Sequence, residues 1–103
     1  MRRHRVTFRP AAERDLLRLS EYIASEGSIE NTAAFIERIE EACLSLQIFP
    51  ERGSRRDDIR PRLRIMGFER RATIAFQVGR TEVVIVRILY ASQDYERALR
   101  RQT

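Results

Sequence analysis

The side chains most able to do chemistry in this sequence are its arginines and a few scattered tyrosines. All 20 basic residues are arginine, because the chain contains no lysine. A guanidinium binds phosphate or carboxylate through a planar fork of donors. Beside Tyr90 or Tyr95 it could stabilise the phosphorane of RNA cleavage while the tyrosine moves a proton. Tyrosine is a poor base, since its reference pKa is about 10, so the arginines indicate binding more strongly than catalysis.

Other catalytic and metal-binding groupings are missing. His4 is the one histidine and Cys43 the one cysteine, so the sequence offers no Ser-His-Asp triad, no intrachain disulfide and no basis for a protein-only zinc site. The 4 glycines are isolated and form no phosphate loop. Asp57 and Asp58 are adjacent in a polar stretch and are expected to be solvated. We therefore expect no catalytic residue, no cofactor and no metal.

The positive charge is unevenly distributed. The net charge is +5; residues 1–51 hold 7 arginines and 9 acids (net −2), and residues 52–103 hold 13 arginines and 6 acids (net +7). A cationic surface in the second half would suit nucleic acid or an acidic protein segment. A genomic bias toward arginine codons would explain the absence of lysine equally well.

The composition is that of a soluble globular protein. The chain has 103 residues, of which 43% are hydrophobic and 34% charged, so we expect a single domain over 1–103. No apolar run approaches the roughly 20 residues of a membrane span. The start, MRRHRVTFRP, lacks an apolar signal core, and the expected location is the cytoplasm.

A strand and two helices are predicted in the first half. Residues 5–9 alternate in polarity, Pro10 favours a helix start, Gly27 its end, and Ser28 an N-cap for a second helix. The apolar positions at helical spacing are Ala12, Leu16, Leu19 and Ile23, then Phe35, Ile36, Ile39, Ala42, Cys43, Leu46 and Phe49. Leu44 and Ile48 fall on the other side of the second helix, either as scattered exposed residues or as part of a docking surface.

Three strands are predicted in the second half. They cover 62–68, 70–78 and 83–90, with a hairpin loop at 79–81 and a tail from 91 that could form a short helix. The fold class is therefore α+β, in the order β-αα-βββ, with a helix hairpin on one face of a mainly antiparallel sheet.

Arg87 interrupts the apolar strand VVIVRILY, and its direction depends on the hairpin register. A three-residue loop places Phe76 opposite Val84 and turns Arg87 to the polar side, whereas a two-residue loop places it on the apolar side. We prefer the first, because it separates polar from apolar residues. The sheet face away from the helices then carries a set of arginines: Arg5, Arg9, Arg62, Arg64, Arg71 and Arg87.

Four segments in this order resemble the RelE/ParE family of bacterial type II toxins. They are AAERDLLRLSEYIA, AAFIERIEEACLSLQIFPERG, RPRLRIMGFERRATIAFQV and VVIVRILYASQDYE, and the resemblance covers residues 6–96. It implies a β-αα-βββ fold. RelE-type members are ribosome-dependent mRNA endoribonucleases, whereas ParE-type members poison DNA gyrase without a recognised catalytic site.

The chain resembles ParE more than RelE. ERDLLRLSEYIA and FPERG are similar to ParE segments, and Thr73 and Gln93 stand where RelE-type toxins tend to carry basic active-site residues. The resemblance implies a gyrase inhibitor and a cognate ParD-like antitoxin, with an acidic toxin-wrapping part and a ribbon-helix-helix part. Operator DNA would be bound only through the antitoxin, within a hetero-oligomer.

Three hypotheses remain open: a gyrase-inhibiting toxin, a RelE-type endoribonuclease, and a toxin-like scaffold that only binds its partner. A helix laid in a groove is a common recognition mode. The candidate partner-binding residues are Leu44, Ile48, Arg62, Arg64, Arg71, Arg87 and Tyr90.

Overall fold

A computed structural model describes residues 3–90 and 94–101. The order of elements confirms the predicted β-αα-βββ core and adds a two-residue strand and a C-terminal helix. The elements are β1 (Arg5–Phe8), α1 (Pro10–Glu26), α2 (Ile29–Leu44) followed by a 3-10 turn (Ser45–Gln47), β2 (Ser54–Arg55), β3 (Leu63–Phe68), β4 (Ala72–Val78), β5 (Glu82–Tyr90) and α3 (Tyr95–Arg101).

The boundaries of the two long helices follow the predicted signals. Pro10 occupies the first turn of α1, where a missing N–H costs nothing. Gly27 ends α1, and its backbone is extended. The Ser28 hydroxyl accepts a hydrogen bond from the Asn31 amide at 3.0 Å and so caps α2. The link between the helices is therefore only two residues, and α1 packs against α2 as a hairpin.

The five strands form one sheet in the order β1-β5-β4-β3-β2. β1 runs parallel to β5, and the other three pairings are antiparallel. The mainly antiparallel sheet is as predicted. Gly53, just before β2, has φ +76°, and a Cβ there would lie 2.2 Å from the Ile65 carbonyl oxygen. Glycine is therefore required where this chain turns into the sheet edge.

The main core lies between the helix hairpin and one face of the sheet. Val6 and Phe8 of β1 pack against it, as their alternation predicts. Its buried side chains include Leu19, Ile23, Phe35, Ile39, Cys43, Leu46, Ile74, Phe76, Val83, Ile85 and Ile88. Burial raises the pKa of the Cys43 thiol to about 12, which agrees with an inert core cysteine. Phe49 departs from the prediction, because it is 62% exposed.

A second, smaller core lies on the opposite face of the sheet. Leu63, Ala75 and Val86 pack there against Leu99 of α3, with Ile59, Ile65 and Tyr95 at the margin. The hairpin leaves this face uncovered, as expected, but α3 covers part of the face that was expected to carry the arginines. Leu63 and Ile65 do share one face, but it is this face and not the one beneath the hairpin.

Among residues 3–90 and 94–101, no helix is both long enough and apolar enough to cross a membrane.

Candidate functional site

The β4–β5 hairpin has a register that neither predicted alternative allows. Val78 pairs with Val83, and the Gly79 amide donates to the Glu82 carbonyl, so four residues form the turn. A β-bulge follows: Phe76 pairs with Ile85, but Ala75 pairs with Arg87, which leaves Val86 as the extra residue. The bulge sets Arg87 opposite Ala75. The direction of its guanidinium therefore follows from its contact with α1 and cannot be read from the strand alternation.

Arg87 is held by a buried carboxylate of α1. Its Nε donates to Asp15 Oδ2 at 2.6 Å and its NH2 to Asp15 Oδ1 at 2.9 Å. The Arg87 and Asp15 side chains are 14% and 4% exposed. Asp15 Oδ2 also accepts from the Ile88 amide at 2.9 Å, so one carboxylate fastens α1 to β5. The hydrogen bonds to Asp15 raise the pKa of Arg87.

The prediction that Arg87 belongs to an exposed polar surface is therefore wrong, because its guanidinium is largely buried against α1. A fork of two hydrogen bonds to a carboxylate is the arrangement in which a guanidinium can be buried. Its proposed contact with a partner loses its basis, because the group already has a partner within the fold.

Arg64 and Arg71 are also separated from the expected face. Arg64 is half-buried on the hairpin side of β3, and its NH1 donates to the Arg52 carbonyl at 3.3 Å. Arg71 lies over the Phe35 ring, with its Cζ 5.4 Å from the ring centroid. The predicted six-arginine surface therefore does not exist as one surface.

Four exposed arginines do converge, at the end of the sheet where β1 begins and the β4–β5 hairpin turns. We call this concavity the arginine groove; its volume is about 490 Å³. Arg5, Arg9 and Arg62 belong to the predicted set, and Arg80 was missed because its loop position gives no facing signal. The groove is lined by Arg5, Arg9, Arg62, Arg80, Gln77, Gly79, Thr81, Glu82 and Val84.

Local structure fixes where these arginines point. Val6 and Phe8 face the main core, so alternation places Arg5 and Arg9 on the opposite side of β1. Arg62 has φ 63°, a left-handed conformation that is uncommon for a residue other than glycine. The Asp57 carboxylate holds it there by accepting from the Arg62 amide at 2.9 Å. This hydrogen bond also lowers the pKa of Asp57.

The groove is electropositive. Among the described residues, no carboxylate lies within ion-pair distance of Arg5, Arg9, Arg62 or Arg80, although Glu82 lines the groove. Burial, together with the charge of nearby Arg9, lowers the pKa of Arg60. Like charges therefore gather here without internal neutralisation, which is typical of a surface that meets an anion.

An ionic cluster fastens α3 beside the second core. Arg56 donates to Asp58 at 2.8 Å and to Glu96 at 3.0 Å, and Arg100 reaches Asp58 at 3.1 Å. The hydrogen bond from Arg56 lowers the pKa of Asp58 well below its ordinary range. Asp58 lies in a turn and is 56% exposed, as expected, and its ion pairs also tie the loop after β2 to α3.

Comparisons with known proteins identify the family and the fold of the chain. A family model described as the ParE toxin of the type II toxin-antitoxin system parDE matches residues 6–95. The chain belongs to the ParE toxin family. A solved structure described as a chromosomal ParDE TA system from P. aeruginosa is similar in fold, with a TM-score of 0.74. It shares 22% identity over 86% of this chain and 97% of that chain. No curated protein matches significantly.

The tyrosines of this ParE-family chain are not joined to the arginine groove. Tyr90 stacks on Tyr22 of α1, with ring centroids 5.0 Å apart, on the hairpin side of the sheet. The Tyr95 hydroxyl accepts from Arg56 at 3.1 Å, but that guanidinium already binds two carboxylates. The arginine–tyrosine arrangement considered for RNA cleavage is therefore not assembled at Tyr95.

The remaining predicted site residues lie elsewhere on this ParE-family fold. Thr73 is a half-buried residue of β4, and Gln93 lies outside the described residues. Leu44 and Ile48 are 47% and 37% exposed and, with Phe49, are the exposed apolar residues at and just after the end of α2, which we call the apolar patch. Within the described ranges, no group of three or more His, Cys, Asp or Glu side chains could hold a metal.

Proposed function

We propose that this ParE-family toxin inhibits DNA gyrase by binding it, with no catalytic site of its own, and that a ParD-like antitoxin neutralises it. The observation that carries the proposal is the family match over residues 6–95. A toxin with this target acts in the cytoplasm, where gyrase works on DNA.

The chemistry of the opposite sheet face supports binding rather than cleavage. General acid–base catalysis needs a titratable group within hydrogen-bond reach of the reacting atoms. Among the described residues that line the arginine groove there is no histidine, tyrosine or lysine, and the one carboxylate is Glu82. The neighbouring part of this face is filled by Leu63, Ala75, Val86 and Leu99. These features favour the ParE type of activity over the RelE type.

The antitoxin is proposed to dock on the apolar patch of Leu44, Ile48 and Phe49. Their exposed fractions, 47%, 37% and 62%, are large for three apolar side chains within six residues of one another along the chain. An amphipathic helix that covers them would bury apolar area on both partners. The resulting hetero-oligomer would contact operator DNA through the ribbon-helix-helix part of the antitoxin.

Supercoiling of relaxed plasmid by purified gyrase, titrated with the toxin alone and with the adjacent small gene product added, tests this function. We expect inhibition by the toxin and recovery with the antitoxin. Ribosome-dependent cleavage of mRNA with no effect on gyrase would establish the RelE-type activity instead. Normal growth on expression of the toxin without antitoxin would leave only the scaffold hypothesis.

A pair of variants tests the docking surface. We expect Leu44→Glu to weaken antitoxin binding tenfold or more, because it places a charge in an apolar contact. Leu17→Glu is the matched control, since Leu17 is an exposed leucine (66%) of α1. Weaker binding by the Leu17 variant alone would move the docking surface to the outer face of the hairpin.

A further inference from the structure

The arginine groove has no role in the fold that explains its charge. Arg5, Arg9, Arg62 and Arg80 are all exposed. Their side chains make no hydrogen bond or ion pair with another described residue. Arg87 shows the contrast, because this chain pairs an arginine with a carboxylate when the guanidinium serves the fold.

The residues that line the groove indicate which kind of anionic ligand could bind there. Of the lining residues within 3–90 and 94–101, Val84 contributes the one apolar side chain longer than a methyl group, and none carries an aromatic ring. A protein segment is usually anchored by apolar or aromatic side chains in pockets. Single-stranded nucleic acid is usually held by stacking on aromatic rings. Neither anchor is present, so a ligand recognised through charge alone fits best.

We propose that the arginine groove binds the phosphate backbone of double-stranded DNA. Guanidinium forks match phosphate oxygens, and backbone contacts need neither apolar pockets nor stacking platforms. The left-handed backbone at Arg62, held by Asp57, agrees with a position fixed for binding, since such strain is concentrated at functional sites.

This inference deepens the proposed function, on which its biological meaning rests. Gyrase acts on duplex DNA, so a toxin that also contacts the phosphates would bind the gyrase–DNA complex through two surfaces. Such contacts are independent of sequence and differ from operator recognition, which we assign to the antitoxin.

The test is fluorescence anisotropy of two labelled 20-bp duplexes of unrelated sequence with the full-length toxin, in the absence of gyrase. We expect similar micromolar affinity for both duplexes at about 50 mM salt. The slope of log K against log salt should be about −3, because each neutralised phosphate contributes about −0.9. The absence of gyrase makes the result independent of the supercoiling assay.

Two charge-matched double variants give the decisive contrast. We expect Arg5→Gln/Arg80→Gln to weaken binding about tenfold and to make the slope shallower by about 2. Arg14→Gln/Arg18→Gln removes the same charge from the exposed surface of α1 and should bind like the wild type. Equal losses in both variants would reduce the effect to net charge and overturn the proposal.

Polyglutamate of the same charge as the duplex tests the competing ligand. Tighter binding of polyglutamate, with the same dependence on Arg5 and Arg80, would assign the groove to an acidic protein segment and overturn the proposal. No duplex binding at low salt would also overturn it. If the double variant fails to fold by circular dichroism, Arg80→Gln alone, in the hairpin loop, should still weaken binding about threefold.

Discussion

Two regions of the molecule use arginine in opposite ways. Beneath α1, Arg87 is withdrawn from solvent and held by two hydrogen bonds to Asp15. In the other region, Arg5, Arg9, Arg62 and Arg80 are exposed around one groove without a described ion pair. The difference teaches that the environment, and not the residue type, decides whether an arginine stabilises the fold or serves a partner.

The largest effect on stability is expected from Arg87→Ala. The substitution leaves the Asp15 carboxylate buried with only the Ile88 amide as a described partner. Breaking a buried ion pair on one side costs about 3 kcal/mol or more. Urea unfolding should show this loss, whereas Arg14→Ala, on the exposed surface of α1, should change the free energy of unfolding by less than about 0.5 kcal/mol.

A double-mutant cycle separates the pair from the packing around it. Asp15→Ala and Arg87→Ala together should cost much less stability than the sum of the two single variants. Each single variant leaves one buried charge unpaired, whereas the double variant leaves none. If Arg87→Ala unfolds at the same urea concentration as Arg14→Ala, the claim that the Arg87–Asp15 pair stabilises the fold is wrong.

A smaller loss is expected from the second core. Leu99 is fully buried between α3 and the sheet, so Leu99→Ala should destabilise the protein by about 2 kcal/mol. Hydrogen exchange should show the loss concentrated in α3, because Leu99 is the buried residue by which α3 packs on this small core. A uniform increase of exchange across α1 and α2 would mean that the two cores are not separable.

The ionic cluster at α3 adds a dependence on pH. Arg56 lowers the pKa of Asp58 in the folded state, so this carboxylate stabilises the fold above the ordinary aspartate pKa of about 4. The contribution is lost as the pH falls below that value and the folded form becomes protonated. The difference in unfolding free energy between the wild type and Asp58→Asn should therefore shrink in acid, and a constant difference would exclude this cause.

The smallest effect on stability is expected in the groove. Arg5→Gln/Arg80→Gln removes two like charges from a positive cluster and no described contact, so the free energy of unfolding should change by less than about 0.5 kcal/mol or rise slightly. Thermal unfolding measures this. A loss comparable to that of Arg87→Ala would mean that these arginines serve the fold after all.

Periodicity predicted most of the fold. The helix boundaries could be predicted at Pro10, Gly27 and Ser28 because these residues act on the backbone beside them. The alternation of polar and apolar residues predicted which side chains of β1 and β4 face the core. The tail helix was foreseen only as a possibility, and its packing over the sheet was not. Long-range packing of this kind leaves little trace in local periodicity, and Phe49 was misplaced because α2 ends in a 3-10 turn before reaching it.

The site was less predictable because a long-range ion pair decided it. Strand alternation does not show that the Arg87 guanidinium binds Asp15 of α1, and no turn residue in VVIVRILY signals the bulge at Val86. A signal for the pair did exist: Asp15 lies on the apolar stripe of α1, between Ala12 and Leu19, just as Arg87 lies within an apolar strand. An acid and a base that each interrupt a buried pattern predict each other, since a buried charge needs a partner.

The central claim is that the groove arginines bind a partner and do not stabilise the fold. Its most direct test is a gyrase supercoiling titration with the wild type and the two charge-matched double variants. The account predicts inhibition by the wild type and by Arg14→Gln/Arg18→Gln at the same concentration. It predicts that Arg5→Gln/Arg80→Gln, although equally folded, needs about tenfold more protein. Inhibition by the groove variant at the wild-type concentration would contradict the account.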